Sequence, residues 1–336
     1  MRPVRIAQIG INQYSHGVDI FHTLKSLPHL FDLPCYCLVE DERERMGERI
    51  QAEYAGVPER TLEEILSDPA IEAVTVETDE PHLLRYANMA AKAGKHIHME
   101  KPGSASLADF ESLVSTVKKN GTVLHLGYMY RYHPFVKEAL ERKKRGEYGH
   151  IFSVEAHMSR EDGEEARRFL GSLPDGMMFY LGCHLLDLIL QFQGVPSEVI
   201  PLSTATGKDG IPSKDLGAAV LRYPHGLSFL RAAATELLGG DRRQLVILGE
   251  KRVTEIRPLE IYCPTEGERY LFESERREVW TEGDGRRCET FRSAPFHRYC
   301  AMMEAFAAMV RGKKENPNTP DYELTLFKTL LQCCGV

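Results

Sequence analysis

The chain has 336 residues, of which 43% are hydrophobic and 27% charged, and it carries a formal net charge of −7. One core rarely serves so long a chain, so two domains are expected, and the apolar content excludes a disordered polymer. Lys and Arg are interspersed among Glu and Asp, which argues against a nucleic-acid partner, and no apolar run reaches the roughly 18 residues of a membrane span.

The opening MRPVRIAQIG runs directly into a strand-like segment, without the features of a secretory leader. A cytoplasmic protein is therefore expected, with its eight cysteines as reduced thiols. Cys35 and Cys37 alternate on one strand, Cys333 and Cys334 are adjacent, and no C-x-x-C or Cys/His ligand set occurs, so no metal site is expected.

Val4 to Gly10 reads as a first strand ending in glycine, and Cys35 to Glu40 as a second closed by an acid, with room for one helix between them. Thr61 and Glu64 form a capping box ahead of Ile65 and Leu66, and Asp68-Pro69 stops that helix. A strand at 71 to 77 follows, then a helix entered at Pro81 and ended at Gly94, then a strand at 96 to 100. Ser106 and Asp109 open another helix, in which Leu107, Phe110, Leu113, Val114 and Val117 fall at helical spacing up to Gly121, and 122 to 128 is strand again. Strands alternating with helices make βαβ units, hence an α/β fold with a doubly wound parallel sheet of the Rossmann kind. Ligands bind beyond the carboxyl ends of such strands, which selects four places: the segment after Gly10, Glu40, the turn from Thr78 to His82, and Glu100-Lys101-Pro102. Further on, periodicity gives an α/β mixture with strands near 151 to 158, 217 to 223, 227 to 234 and 244 to 249.

The turn after the first strand keeps one glycine of the G-x-G-x-x-G dinucleotide pattern, as Gly10, Ile11, Asn12, Gln13, Tyr14, Ser15. Asn tolerates positive φ and Ser caps helices, so a phosphate-binding turn stays feasible beside the plainer reading of a strand-to-helix turn. Glu40, near the end of the second strand, is placed to accept from ribose hydroxyls and to repel a 2′-phosphate. NAD is thus favoured over NADP, while Arg43 and Arg45 close by favour the opposite and the whole EDERER run also reads as a solvated turn.

From Ile71 onward the sequence resembles the glucose-fructose oxidoreductase, inositol dehydrogenase and MocA (Gfo/Idh/MocA) family. The likeness runs through AGKHIHMEKPGSASLADFESLV, LGYMYRYHPFV, GMMFYLGCHLLDL, RYCAMMEAFAAMVRG and DYELTLFKTLLQCCG, with A-G-K-x-x-x-x-E-K-P its most specific part. It implies a Rossmann domain over 1–124 that binds NAD(P). It also implies a substrate-binding and oligomerisation domain over 125–336, built on an open, largely antiparallel sheet, in a homodimer or homotetramer. The implied reaction is hydride transfer between nicotinamide and a hydroxyl carbon of a sugar, polyol or inositol-like compound.

Removing a hydride from an alcohol carbon requires a group that takes the hydroxyl proton. By resemblance Lys101 contacts the reacting hydroxyl, Glu100 helps hold the site, and His184 is the acid/base. The family's aspartate four residues before that histidine is here Tyr180, which is neutral at working pH and cannot replace the charge. On a helix, Tyr180, His184 and Asp187 would share one face, opposite a stripe of Leu181, Leu185, Leu188 and Phe192. Tyr128, Arg131 and Tyr132 occupy the segment that the family brings near nicotinamide and substrate. Arg131 suits a bidentate contact or an ion pair between domains. Thr78, Asp79 and His82 match the segment lying under the cofactor, in a shorter and more acidic turn. Arg160 to Arg168 reads either as a cover for the cleft or as solvated surface. Two further readings stay open: a dinucleotide-binding sensor or scaffold without catalysis, and a glycoside hydrolase that uses tightly held NAD.

Overall fold

Five short apolar runs pair side by side in parallel: β1 (Val4–Ile9), β2 (Phe31–Cys37), β3 (Ala73–Val76), β4 (His96–Met99) and β5 (Leu124–Leu126), in the order β2-β1-β3-β4-β5. The computed structural model in which they are seen describes residues 2–11, 16–263, 265 and 270–336. β1 and β3 are buried on both faces because helices cover both sides of a parallel sheet. The strand order reverses between β1 and β3, which opens a crevice at their carboxyl ends.

The second strand departs from the sequence expectation. β2 starts at Phe31, four residues early, and ends at Cys37, so Glu40 lies in the loop beyond it. Pro34 lies inside the observed strand, where it cannot donate to the ladder. β2 is the edge strand, however, and its pairing with β1 slips between Arg5 and Ala7, so Asp32 and Cys35 pair while Pro34 is passed over.

Two helices start where their caps predict, while the one expected from Pro81 begins at Leu83. Thr61 and Glu64 form both bonds of a capping box, and the Ser106 hydroxyl accepts from the Asp109 amide ahead of the helix Leu107–Asn120.

The chain divides into two compact units, Met1–Tyr128 with Tyr299–Leu324, and Met129–Arg298 with Thr325–Val336. The late return to the first unit, which a single cut after residue 124 does not contain, is fastened by several contacts. Phe306, on the helix Cys300–Val310, stacks on His125 with ring centroids 5.4 Å apart. Arg311 forms paired hydrogen bonds to Glu72 and reaches the carbonyls of Arg2 and Pro3. Glu72 is held down to about 2, chiefly by its bonds to Arg311.

The second unit is built on an eight-stranded sheet. Its strands are β6 (Ile151–Ser159), β7 (Glu198–Pro201), β8 (Leu216–Tyr223), β9 (Gly226–Ala233), β10 (Gln244–Gly249), β11 (Arg252–Ile256), β14 (Glu275–Glu282) and β15 (Gly285–Arg292). A separate three-stranded sheet joins β12 (Ile261–Tyr262), β13 (Leu271–Glu273) and β16 (Phe296–His297). The large sheet runs β15-β14-β11-β10-β6-β9-β8-β7, and only the β6–β9 pair is parallel. The helix Cys183–Gln193 packs against β6 and β9 and is buried almost all round, which explains why its sequence is apolar on every side. Among the described residues no helix is long and apolar enough to cross a membrane, and all eight cysteines are free thiols.

Candidate functional site

In the first unit the selected strand ends do come to one edge. Gly10 follows β1 with φ +84, and a Cβ on it would lie 2.8 Å from Cβ of Thr78. Glycine is therefore required there twice over, by backbone conformation and by the turn after β3 lying flush against it. The amide of buried Gln8 reaches the carbonyls of Gly10 and Gly17 and the hydroxyl of Tyr54, each at 3.1 Å, and so ties the start and end of this turn together. Asn12, Gln13, Tyr14 and Ser15 lie outside the described residues.

Glu40 has φ 51, an uncommon left-handed backbone for a side chain other than glycine. Its carboxylate accepts from the Tyr86 hydroxyl at 2.6 Å and the Arg85 guanidinium at 2.9 Å, and the Tyr86 bond leads in holding it below the usual carboxylate range. Both nearby cations are engaged by acids: Arg43 pairs with Glu59, while Arg45 joins Asp41 at 2.8 Å to Asp79 at 2.8 Å. Asp79 thus serves to anchor the loop that bears Glu40. Buried Glu42 accepts from the Val39 amide at 2.9 Å and bonds the Thr78 hydroxyl, and burial pushes it up to about 7. His82 caps the helix Leu83–Lys92 through its backbone, its amide donating to the Asp79 carbonyl at 2.9 Å.

At the end of β4, Lys101 Nζ stands 3.6 Å from Oε1 of Glu100, and both residues are almost wholly buried. A Cβ on Gly127 would sit 3.2 Å from Glu100 Oε2, so the small residue after β5 leaves space for that carboxylate. Two further acids share the edge, Glu77 and Glu80, each with no exposed surface and with no hydrogen-bond donor from another described residue at either carboxyl oxygen. Burial drives Glu77 well above the carboxylate range, assisted by the charge of Glu100. Burial lifts Glu80 to about 7, against the attraction of Lys101. Beneath them His98 meets His125 at 2.8 Å between Nδ1 atoms, and burial lowers His98 to about 3. His98 Nε2 lies 3.6 Å from Glu77, but with the ring kept neutral and the acid protonated this is a contact of uncharged groups, not an ion pair.

The second unit carries the remaining candidates. The turn Met129–Tyr132 holds Arg131, whose guanidinium donates to both carboxylate oxygens of Asp187 at 2.9 and 2.8 Å. Its planar fork is thereby committed within the unit. Tyr130 beside it donates to Glu260 at 2.7 Å and accepts from Arg243 at 2.9 Å, while its ring meets that of His184 edge-on at 5.4 Å. Arg298 completes the cluster, and the Arg298 and Arg243 charges overcome the upward push of burial to hold Glu260 at about 2.

Tyr180, His184 and Asp187, expected on one regular helix, are divided between two kinds of turn. Met178–Gly182 is a π-helical turn, and the regular helix begins at Cys183. The wider turn changes the angular step between Tyr180 and His184, a feature frequent at functional sites. The Tyr180 hydroxyl receives a 3.4 Å contact from Arg160, which also pairs with Asp162 at 2.9 Å. The stripe Leu181, Leu185, Leu188 and Phe192 is buried as expected, but so are His184 and Asp187. Arg160 to Arg168 folds in part as the helix Glu164–Leu170, and Arg167 is buried against Asp209 and Asp215. Tyr128 is buried at the end of the first unit and Tyr132 closes the turn that holds Arg131.

The sequence reading passed over Gln8, Glu77, Glu80, Tyr130 and Glu260. For Glu80 a signal existed, since the acidic turn Thr78 to His82 had been selected; for the others only packing reveals them.

Family models match the chain in two parts: an oxidoreductase family with an NAD-binding Rossmann fold over residues 10–128, and the GFO/IDH/MocA C-terminal domain over residues 136–255. D-xylose 1-dehydrogenase (NADP(+)) 2 of Haloferax volcanii is 28% identical over 52% of this chain, a match that spans about half, 54%, of that protein's length. Myo-inositol 2-dehydrogenase of Thermotoga maritima is 25% identical over 80% of this chain and 82% of that one. In fold, the chain is similar to a levoglucosan dehydrogenase solved with NADH and levoglucosan, with a TM-score of 0.79 at 17% identity over 99% of this chain and 98% of the other.

Proposed function

The chain belongs to the Gfo/Idh/MocA family of oxidoreductases, and from that premise we propose that it is a dehydrogenase or reductase acting on a hydroxyl carbon of a sugar, polyol or inositol-like compound, with NAD preferred over NADP. The observation that carries the proposal is the edge of the first unit's sheet, where Lys101 is buried beside Glu100, Glu80 and Glu77.

The residues there fit a dinucleotide. Gly10 keeps the turn after β1 free of a side chain, and buried acceptors at the strand ends lack donors among the described residues. Glu40 holds a carboxylate acceptor suited to ribose hydroxyls, and Arg43 and Arg45 are already paired with acids, which weakens any pull on a 2′-phosphate. Gly10, Glu40, Thr78 and Glu100 would hold the dinucleotide, and the chemistry it supplies is acceptance or return of a hydride. Lys101 and His184 handle the proton of the reacting hydroxyl, and Tyr180 hydrogen-bonds substrate in place of the family's aspartate.

The test is a screen of polyols and sugars for NADH formation, with both dinucleotides titrated by calorimetry. With an active substrate, Lys101→Ala and His184→Ala should each lower turnover about a hundredfold or more with dinucleotide affinity nearly unchanged. Wild-type turnover in Lys101→Ala would refute the site. NAD retained through purification with no net turnover favours the glycoside hydrolase that uses tightly held NAD.

Association through the large sheet is also proposed. Register places Val220, Phe229, Glu155 and Val246 in one row on the face opposite the helix Cys183–Gln193, three apolar residues around one acid, with Phe229 40% exposed. Such a face is covered in an oligomer. Light scattering should give a dimer or tetramer, and a stable monomer at micromolar concentration would oppose it.

A further inference from the structure

The large sheet ends at β15 with one side unpaired, and residues 285–290 of that strand are exposed on both of its faces. β14 and β15 lie beyond residue 255, where the match to the GFO/IDH/MocA C-terminal domain ends, so the family likeness does not account for this edge. The hairpin fixes which backbone groups are open. Its two-residue loop closes Glu282 and Gly285 as a hydrogen-bonded pair, and the alternation of an antiparallel ladder then turns the amides and carbonyls of Arg286, Cys288 and Thr290 away from β14. Among the described residues no other backbone group bonds to them. An open edge of this kind is a template for a further strand.

Charged side chains usually keep such an edge from pairing. Here their order selects a register instead. Arg287 and Glu289 flank Cys288 and share one face of the strand. If a second β15 lies antiparallel with Cys288 opposite Cys288, Arg287 of each copy stands opposite the partner's Glu289. A slip by two residues sets Arg287 against Arg287 or Glu289 against Glu289, and like charges directly opposite disfavour pairing. Arg287 donates from Nε to Glu282 at 2.5 Å, which leaves its Nη groups for a second carboxylate. On the other face of the sheet, register places Leu248, Val253, Val279 and Cys288 in one row, and the three apolar side chains are half-buried. Self-pairing at Cys288 continues that row across the junction without a charge.

We propose that two copies of this chain join β15 to β15 about a two-fold axis at Cys288, so that their eight-stranded sheets become one. The junction satisfies the outward backbone groups of both copies, Cys288 with Cys288 and Arg286 with Thr290. It uses an edge, whereas the association proposed above uses a face, so the two together build a tetramer.

Cross-linking tests the register. Cys288 is the exposed one of the eight free thiols, and directly opposed residues in such a pair have Cα atoms about 5.5 Å apart, within reach of a disulfide. Mild oxidation of the full chain at micromolar concentration should give a disulfide-linked dimer on a non-reducing gel, absent in Cys288→Ser. Glu289→Arg and Arg287→Glu should each cut that yield and weaken dimerisation in sedimentation about tenfold or more, and the double charge swap should restore both. Phe229→Arg alters the sheet face alone and should leave the cross-link intact, so loss of the face association is read separately. A linked dimer that persists in Cys288→Ser, a wild-type yield in Glu289→Arg, or a double swap as weak as the single variants overturns the proposal. So does a wild-type chain that forms no linked dimer while Cys288 still reacts with a maleimide, which would leave the edge free or give it to a different strand.

Discussion

The two units treat buried charge in opposite ways. In the second, Arg131 grips Asp187, and Glu260 is enclosed by Arg243, Arg298 and Tyr130. In the first, Glu77, Glu80 and Glu100 crowd one strand edge where Lys101 supplies the positive charge acting on them. A closed network rigidifies its surroundings, while an open one stores a cost that binding or proton transfer can relieve. The contrast therefore sets a closed scaffold network apart from the candidate site.

The largest expected effect falls on the closed side. Asp187→Ala should destabilise the second unit by about 3–5 kcal/mol, because it removes the carboxylate that accepts two hydrogen bonds from the buried Arg131 guanidinium. Replacing both residues with apolar ones should recover most of that loss in urea unfolding. A single variant that costs under about 1 kcal/mol would show the network to be less closed than its geometry.

Glu260 gives a somewhat smaller effect with a pH signature. Its folded value lies near 2 against an ordinary 4.5, so its contribution is present above the ordinary value and lost as pH falls toward 2. The shift corresponds to about 3 kcal/mol. Glu260→Gln should thus be less stable than wild type at neutral pH, with the gap closing on acidification. A gap that does not change with pH would mean the loss is one of packing.

Glu80 should behave with the opposite sign and the smallest size. Its folded value is raised from 4.5 to about 7, so it favours the fold below the ordinary value and that advantage is lost as pH rises through about 7. Glu80→Gln should match wild type at pH 4 and exceed it at pH 8, by about 1 kcal/mol once the unpaired buried amide is discounted. Equal stability at both pH values would place Glu80 in water or against an acceptor of its proton.

Much of the architecture was legible because apolar alternation survives wherever a strand has one buried face. Expected strands at 151 to 158, 217 to 223 and 244 to 249 correspond to β6, β8 and β10 within a residue at each end. β14 and β15 were not legible, since Arg and Glu dominate both and nearly all of β15 is exposed at the sheet edge. Edge placement also hid the start of β2, expected only from Cys35, because an edge strand with a slipped register accommodates Pro34. At the site, Lys101 and Glu100 were marked by motif. Glu80 lay in a selected turn without being singled out there, because its burial depends on the packing of residues distant in sequence. The π turn at Tyr180 was equally invisible, as side-chain period does not report one extra residue in a turn.

The return of Tyr299–Leu324 to the first unit bears on how the protein is made. When Tyr128 has left the ribosome, every strand of the parallel sheet exists, yet Phe306 has not been synthesised to cover His125 and His98, nor Arg311 to neutralise Glu72. All of the large sheet's strands are translated before those residues appear. The nascent first unit thus spends most of synthesis with part of its interior open to solvent, an interval in which chaperone capture or misassembly competes with folding.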